Sequence, residues 1–324
     1  MIDSVLNRVV REIVVKAATI APPEKRRSIR RRARGREDAR NLRRADFAVV
    51  SHGKSGRTWL SVMLSRFFQL RYGLDERSLL IFDNLHRKNR AIPKILFTHD
   101  NYIRDYTGNG ASKAAFYDKP TLLLVRHPAD VAVSQFFQWR YRMLPHKKAL
   151  NQYPAHGAEI PIFDFVMHED AGLQRVVRFM NEWAKELPRV RNRLVVRYED
   201  MRANPEAELR RILTWMGQSP TDAEIKEAVA FAAFDNLKKL ESKRVFWWSG
   251  SRMVPGDKSN PDSYKVRRAK VGGYRDYFDD DQVRQIDSYI RAHLDPVFGY
   301  EGAEMSSGGG STSASGERRV ASGG

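Results

Sequence analysis

Along this chain, short apolar runs alternate with longer stretches in which apolar residues return every three or four positions. DFAVVS (46–51), KILFTH (94–99), TLLLVR (121–126) and NRLVVRY (192–198) are of the first kind. Runs this short fit a buried strand or a piece of buried helix. The paired valines of the first, and the Gly-containing turn behind it, favour strand. Trp59, Leu60, Met63, Leu64, Phe67 and Phe68 return at helical spacing and predict a helix from Thr58 to Arg71. A second helix is expected from Pro128 to Met143, with Pro128 at the first helical position and Asp130 in the first turn, where its charge suits the helix dipole. Others are expected at 172–187, 205–216, 221–231 and 279–293, with 242–278 irregular. Strands alternating with helices predict an α/β fold, a parallel sheet flanked by helices on both faces. Ligands of such sheets bind beyond the carboxyl ends of the strands.

The ends of the chain differ from this body. Residues 1–23 read as an amphipathic helix: Ile2, Val5, Leu6, Val9, Val10, Ile13, Val14 and Ala17 share one face, and Pro22-Pro23 ends it. Arg8, Arg11, Glu12 and Lys16 interrupt the run, so it makes neither a simple membrane span nor a good secretory signal. Residues 24–44 hold eleven basic and three acidic residues, a basic arm. For the arm the readings are a solvated helix or binding to nucleic acid or acidic lipid head groups; for the amphipathic helix they are docking on its own domain or peripheral membrane attachment. Residues 45–300 form one domain, and 301–324 read as a disordered Ser/Gly-rich tail.

Composition sharpens this picture in two ways. The chain has 324 residues and no cysteine, which removes disulfides, Cys-ligated zinc, iron–sulfur clusters and thiolate catalysis. Its 57 Lys and Arg against 39 Asp and Glu, a net charge of +18, call for an anionic partner.

Candidate chemistry follows three of the strands. SHGKSGR closes the first and leads into a helix. Glycines there let successive N–H groups converge, the helix start adds partial positive charge, Lys54 adds a full charge and Thr58 a hydroxyl: an anion cradle. It is half a Walker motif, because Ala48 stands where the first glycine would be and Gly56 follows the lysine. Arg126 at the end of the third strand, with Ser134 two turns into the next helix, makes a second candidate anion site. KVRRAKVGGYRDYF (265–278) adds a basic segment with a Gly272-Gly273 hinge.

In this order, these segments resemble the cytosolic-type sulfotransferase family. KSGRTWL (54–60) is similar to the family's 5′-phosphosulfate loop KSGTTWL, and RHPADVAVS (126–134) to its 3′-phosphate motif. YEDM (198–201), with Asn204-Pro205 behind it, and RRA–GGY (267–274) resemble two further family segments. The resemblance implies a P-loop-like sulfotransferase fold and an enzyme that moves a sulfuryl group from 3′-phosphoadenosine 5′-phosphosulfate (PAPS) to an acceptor hydroxyl, with 3′,5′-ADP as product and no metal. It implies that Lys54 assists the leaving phosphate, that Ser55, Gly56, Arg57 and Thr58 form the 5′-phosphate loop, and that Trp59, Tyr198 and Phe234 surround the adenine. Arg126, Ser134, Arg267 and Arg268, with Ala269 beside them, would serve the 3′-phosphate, and His99 falls where the family keeps its catalytic base.

Departures from the pattern are Gly53 for proline, Arg57 for the first loop threonine, Phe97 for a lysine two residues before His99, Ala232-Ala233 before Phe234, and Ala269 for glycine. The acceptor is a glycan, a lipid or a small molecule, and the basic N-terminal segment favours a lipid-linked or envelope glycan. Phe82, Phe136, Phe137, Trp139, Tyr141, Phe246, Trp247 and Trp248 are either pocket-lining or core. Residues 1–44 are the candidate contact to an acidic membrane surface, ahead of nucleic acid, and the expected location is cytoplasmic or peripheral on the inner face of the membrane. The competing readings are a P-loop-type nucleotide kinase and a basic adaptor for membrane or nucleic acid.

Overall fold

The structure is a computed structural model that describes residues 20–243, 257, 259–264 and 268–300. The amphipathic helix and the Ser/Gly-rich tail expected from the sequence therefore lie outside the described residues, as do Arg267 and Phe246–Trp248.

Four short strands, β1 (Phe47–Ser51), β2 (Ile95–Thr98), β3 (Thr121–Val125) and β4 (Arg193–Arg197), form one parallel sheet in the order β2-β1-β3-β4. Their carboxyl ends are aligned. Val50 lies opposite Thr98, Ser51 opposite Leu124, and Val125 opposite Arg197. All loops that follow the strands thus leave from one edge. The chain moves from β1 outward to β2, then crosses back to β3 on the other side of β1. The switch point of the sheet therefore lies between β1 and β3, where such sheets open a crevice for ligand.

Period-two alternation divides the core. Ala48, Val50, Leu96, Leu123 and Val125 face one side, where α4 (Pro128–Tyr141), α5 (Leu173–Glu186) and α10 (Asp280–His293) contribute Val131, Trp183 and Ile286. Val49, Ile95, Leu122, Leu124 and Val196 face the other, against α2 (Arg57–Tyr72), α7 (Pro205–Trp215) and α8 (Asp222–Phe231). On α2 the predicted apolar stripe is buried: Leu60, Met63, Leu64, Phe67 and Phe68 are all sealed from solvent. Each such side chain contributes roughly 1.5–3 kcal/mol on burial. Asn204, Thr221 and Asp279 cap the helices that start beyond them, and the last two form complete capping boxes with Glu224 and Gln282.

The basic segment is a helix, α1 (Pro23–Arg44), laid on the body. Ala39 and Leu42 enter the core. Arg31 ties the helix down by donating to the Asp105 carboxylate (3.0 Å) and to the main-chain carbonyls of Asn101 (2.8 Å) and Leu150 (3.2 Å). These partners lie on or beside α3 (Ile103–Thr107) and on a short helix at Pro145–Leu150. Gly35 sits so close to the Tyr102 carbonyl that a Cβ there would approach its oxygen to 2.1 Å. Among the described residues no helix is long and apolar enough to cross a membrane.

Two further elements, α6 (Tyr198–Ala203) directly after β4 and α9 (Phe234–Ser242), border the crevice at the edge of the sheet.

Candidate active site

A cleft of about 830 Å³ opens over the aligned strand ends. That volume suits a nucleotide-sized ligand with space to spare. Its floor is the turn between β1 and α2. Lys54 takes the left-handed conformation at φ 74° and Gly56 at φ 94°, so the backbone curls before the helix begins. Gly56 is required on two counts: its φ, and Tyr198, whose ring carbon would lie 2.5 Å from any added Cβ. Lys54, Gly56, Arg57, Thr58 and Trp59 border the cleft, whereas Ser55 is buried and does not. Trp59 meets Tyr198 edge to face at 5.9 Å between ring centres.

Across the switch point, Arg126 leaves β3 into the same cleft. It donates through Nη1 to the Lys54 carbonyl (3.3 Å) and through Nη2 to the carbonyl of Lys270 (3.1 Å) and the Asp130 carboxylate (3.3 Å). Its guanidinium stacks over the Tyr198 ring at 4.4 Å. Its Nε is buried without a hydrogen-bond partner among the described residues, a donor ready for an anionic oxygen. Ser134 borders the cleft two turns further along α4.

Asp130 does more than suit a helix dipole. It is buried and accepts the main-chain N–H groups of Gly272 and Tyr274, both at 2.9 Å. This fastens the basic C-terminal segment across the cleft, so that Arg268, Ala269 and Lys270 line it as well. Ala269, where the family pattern has glycine, is held at φ 51°, a conformation glycine would adopt without strain. Glu199 is the second fastening: it accepts the His127 N–H (2.9 Å) and the Tyr300 hydroxyl (2.6 Å).

His99 follows β2 at the same edge. Its Nδ1 donates to the Ser51 carbonyl (2.7 Å), which can only accept, so Nδ1 carries the proton. Its Nε2 receives the Arg57 guanidinium at 2.8 Å and therefore presents a lone pair into the cleft. The turn behind it is anchored by Asp100, which pairs with Lys113 at 2.9 Å, both buried. Burial pushes the Asp100 carboxyl up, with Lys113 opposing.

Beyond His99 the lining is mixed, with Tyr102, Met143 and Tyr153 beside charged and polar groups. His52 borders the cleft as a neutral imidazole, pushed down to about 4 first by burial and then by the charge of Arg175. Arg34 and Asp38 arrive from α1. Burial, and then Glu37, push Asp38 up to about 7, against the pull of Arg57 and Arg34. Sequence reading missed these two, because a dense charge run carries no mark of which charges turn inward. The described aromatic candidates do not border the cleft: Phe136, Phe137 and Trp139 pack in the core, Phe82 packs against it, and Tyr141 is half exposed. The described metal-ligating residue types form no cluster of three. Phe234, Tyr198 and Arg268 border the cleft, while Arg267 is outside the described residues.

A curled, cation-bearing loop after a strand, at the switch point of a parallel sheet, is where α/β proteins of this kind bind their ligands. The sulfotransferase domain family model matches residues 44–298, and the chain belongs to that family. It is a sulfotransferase enzyme by that membership. Among curated relatives, zebrafish (Danio rerio) sulfotransferase 6B1 is 21% identical over 88% of this chain and 87% of its own length. Cytosolic sulfotransferase 16 of Arabidopsis thaliana is 31% identical over 30% of this chain and 29% of its own. Among solved structures, mouse sulfotransferase SULT7A1, complexed with PAP, is similar at TM-score 0.53 and 20% identity, covering 79% of this chain and 89% of that one. Retinol dehydratase, in a complex with retinol and PAP, is similar at TM-score 0.50 and 18% identity, covering 80% and 85%. Both share the fold of the chain described here.

Proposed function

We propose that the protein transfers a sulfuryl group from PAPS to an acceptor hydroxyl, and that the cleft holds the two phosphate ends of the donor at Lys54 and Arg126. One observation carries this reading. The two cations belong to loops from adjacent strands and line one cleft, with the Arg126 guanidinium 3.3 Å from the Lys54 carbonyl. The curled loop, with Lys54 and Thr58, offers donors to the 5′ end. Arg126 and Ser134, with Arg268, offer them to the 3′ end, and Trp59, Tyr198 and Phe234 offer ring faces to the base.

In this mechanism the Nε2 lone pair of His99 takes the proton of the acceptor hydroxyl as its oxygen bonds to sulfur. The bond from sulfur to the bridging oxygen breaks, and Lys54 neutralises the charge that this oxygen acquires. The Ser51 carbonyl keeps the imidazole in the tautomer the step requires and stabilises it once protonated. The products are the sulfated acceptor and 3′,5′-ADP.

Lys54→Ala and His99→Ala should each lower transfer from labelled PAPS by roughly a hundredfold or more. Near-complete activity in either variant overturns the assignment. A P-loop-type kinase would instead prefer ATP, so displacement of bound 3′,5′-ADP by ATP at equal concentration tells against the sulfotransferase donor.

For the acceptor, the charged groups Arg34, Asp38 and Arg175, set beside the ring faces of Tyr102 and Tyr153, support a sugar-like hydroxyl. Attachment of residues 1–44 to an acidic membrane surface is supported by the outward-facing Lys25, Arg32, Arg36 and Arg43 of α1, all exposed. It would bring a lipid-linked glycan within reach. Binding to vesicles containing anionic lipid should fall when Lys25, Arg32, Arg36 and Arg43 are all replaced by Glu, and be absent on neutral vesicles. Equal binding to both kinds of vesicle overturns it.

A further inference from the structure

The helix that precedes the family match builds one wall of the cleft. The match begins at residue 44, and α1 spans Pro23–Arg44, yet Arg34 and Asp38 line the cleft. They belong to its acceptor side. From His99 the contacts run to Arg57 (2.8 Å), and Asp38 feels the charges of both Arg57 and Arg34. Arg126, the proposed 3′-phosphate anchor, instead contacts the Lys54 and Lys270 carbonyls (3.3 and 3.1 Å).

This wall is rigid and short of negative charge. The three hydrogen bonds of Arg31 and the close approach at Gly35 fix α1 on either side of Arg34. The Arg34 guanidinium lies over the Tyr102 ring at 5.9 Å, and its Nε is buried without a hydrogen-bond partner among the described residues. Lys147 borders the same side from an exposed position, and Arg175 is also there. Arg175 is already engaged with the carbonyls of Asn151 and Asp170 (both 2.7 Å) and with the Tyr153 ring. His146 nearby is pushed down by partial burial and by Lys147, Arg34 and Arg30, so the rim is a positive field. Asp38, the acidic group of this wall, is held half-neutral near pH 7 by its surroundings. A neutral apolar acceptor would leave the buried Nε of Arg34 without a partner, which is costly in a partly desolvated cleft.

We propose that α1 is the acceptor-recognition wall and that Arg34, with Lys147 at the rim, receives an anionic oxygen group on a polyhydroxylated, sugar-like acceptor. The proposal rests on the sulfuryl-transfer reading above. Phosphate and carboxylate share the chemistry that Arg34 recognises.

The test titrates hexoses, their 6-phosphates and the corresponding uronic acids into the full chain saturated with 3′,5′-ADP, read by calorimetry. The charged sugars should bind roughly ten- to a hundredfold more tightly than the neutral ones, the range of one charge-assisted hydrogen bond. Arg34→Ala should remove most of that advantage while 3′,5′-ADP still binds. Lys147→Glu, at an exposed site remote from the core, should reduce it independently, which guards against a folding defect in the first variant. A stronger advantage for 6-phosphates than for uronic acids identifies phosphate as the group, and the reverse identifies carboxylate. Equal binding of charged and neutral sugars, an advantage that survives both substitutions, or no binding by any charged sugar overturns the acceptor wall alone. Failure of 3′,5′-ADP to bind overturns the donor reading and the wall with it.

Discussion

Arg57 donates to Nε2 of His99 at 2.8 Å, the atom that in the proposed mechanism accepts the proton of the incoming hydroxyl. In that mechanism a permanent cation covers the base until an acceptor displaces it. Arg57 stands where the family pattern has threonine, and Phe97 where it often has lysine. The cation has in effect moved from the strand before His99 to the loop after Lys54.

That arrangement has a consequence for pH. A cation in contact with an imidazole opposes its protonation. Arg57→Gln should therefore move the acid limb of the rate–pH profile upward. Rate–pH profiles of the two proteins check this, and an unmoved limb would mean that Arg57 and His99 part before the base acts.

Asp38 supplies a second pH effect, this time on stability. Its folded-state carboxyl titrates at about 7, above its ordinary 3.8. The folded protein thus binds a proton that the unfolded chain has already lost. The associated stability is complete below about pH 4, falls as pH rises toward 7, and is gone above it. Melting temperatures between pH 4 and 8 should show this slope in the parent and a flatter one in Asp38→Asn.

Gly56→Ala should be among the most damaging single-methyl changes. Its φ of 94° and the 2.5 Å approach to the Tyr198 ring act together. Left-handed strain and overpacking sum to about 2–5 kcal/mol. Chemical denaturation measures the loss, and 3′,5′-ADP binding should fall with it as the loop opens.

Asp130→Ala should release the C-terminal segment. The amides of Gly272 and Tyr274 each lose a buried carboxylate acceptor. Their hydrogen exchange should accelerate by roughly tenfold or more, and Asp130→Asn, which keeps two acceptor lone pairs on one oxygen, should fall between. Unchanged exchange would show that the segment is held by other contacts.

Much of the fold was legible because period and length agree. β1 to β4 appeared as apolar runs, the helices at Arg57–Tyr72 and Leu173–Glu186 as periodic stripes, that at Pro128–Tyr141 from its leading proline and first-turn aspartate, and those at Pro205–Trp215, Asp222–Phe231 and Asp280–His293 as further expected helices, with ends displaced by a residue or two. Helix α9 (Phe234–Ser242) escaped because two leucines, Leu237 and Leu240, are too few to set a period. In α1 the contact surface is made of small residues, Gly35 and Ala39, with Leu42, so charge hides the seam. The turn from Gly53 to Trp59 was legible because strand, turn and helix must occur in sequence there. Arg34, Asp38 and His52 were not, because their placement depends on packing between distant segments.

The parallel pairing of β1 with β3 acts as a caliper. Neighbouring strands keep a spacing of about 4.8 Å whatever side chains they carry. The roots of the Lys54 and Arg126 loops are therefore held at a gauge set by backbone alone. Substitutions elsewhere can reshape what the cleft receives opposite them without resetting the jaws, so the proposed donor site can be fitted with many different acceptor walls.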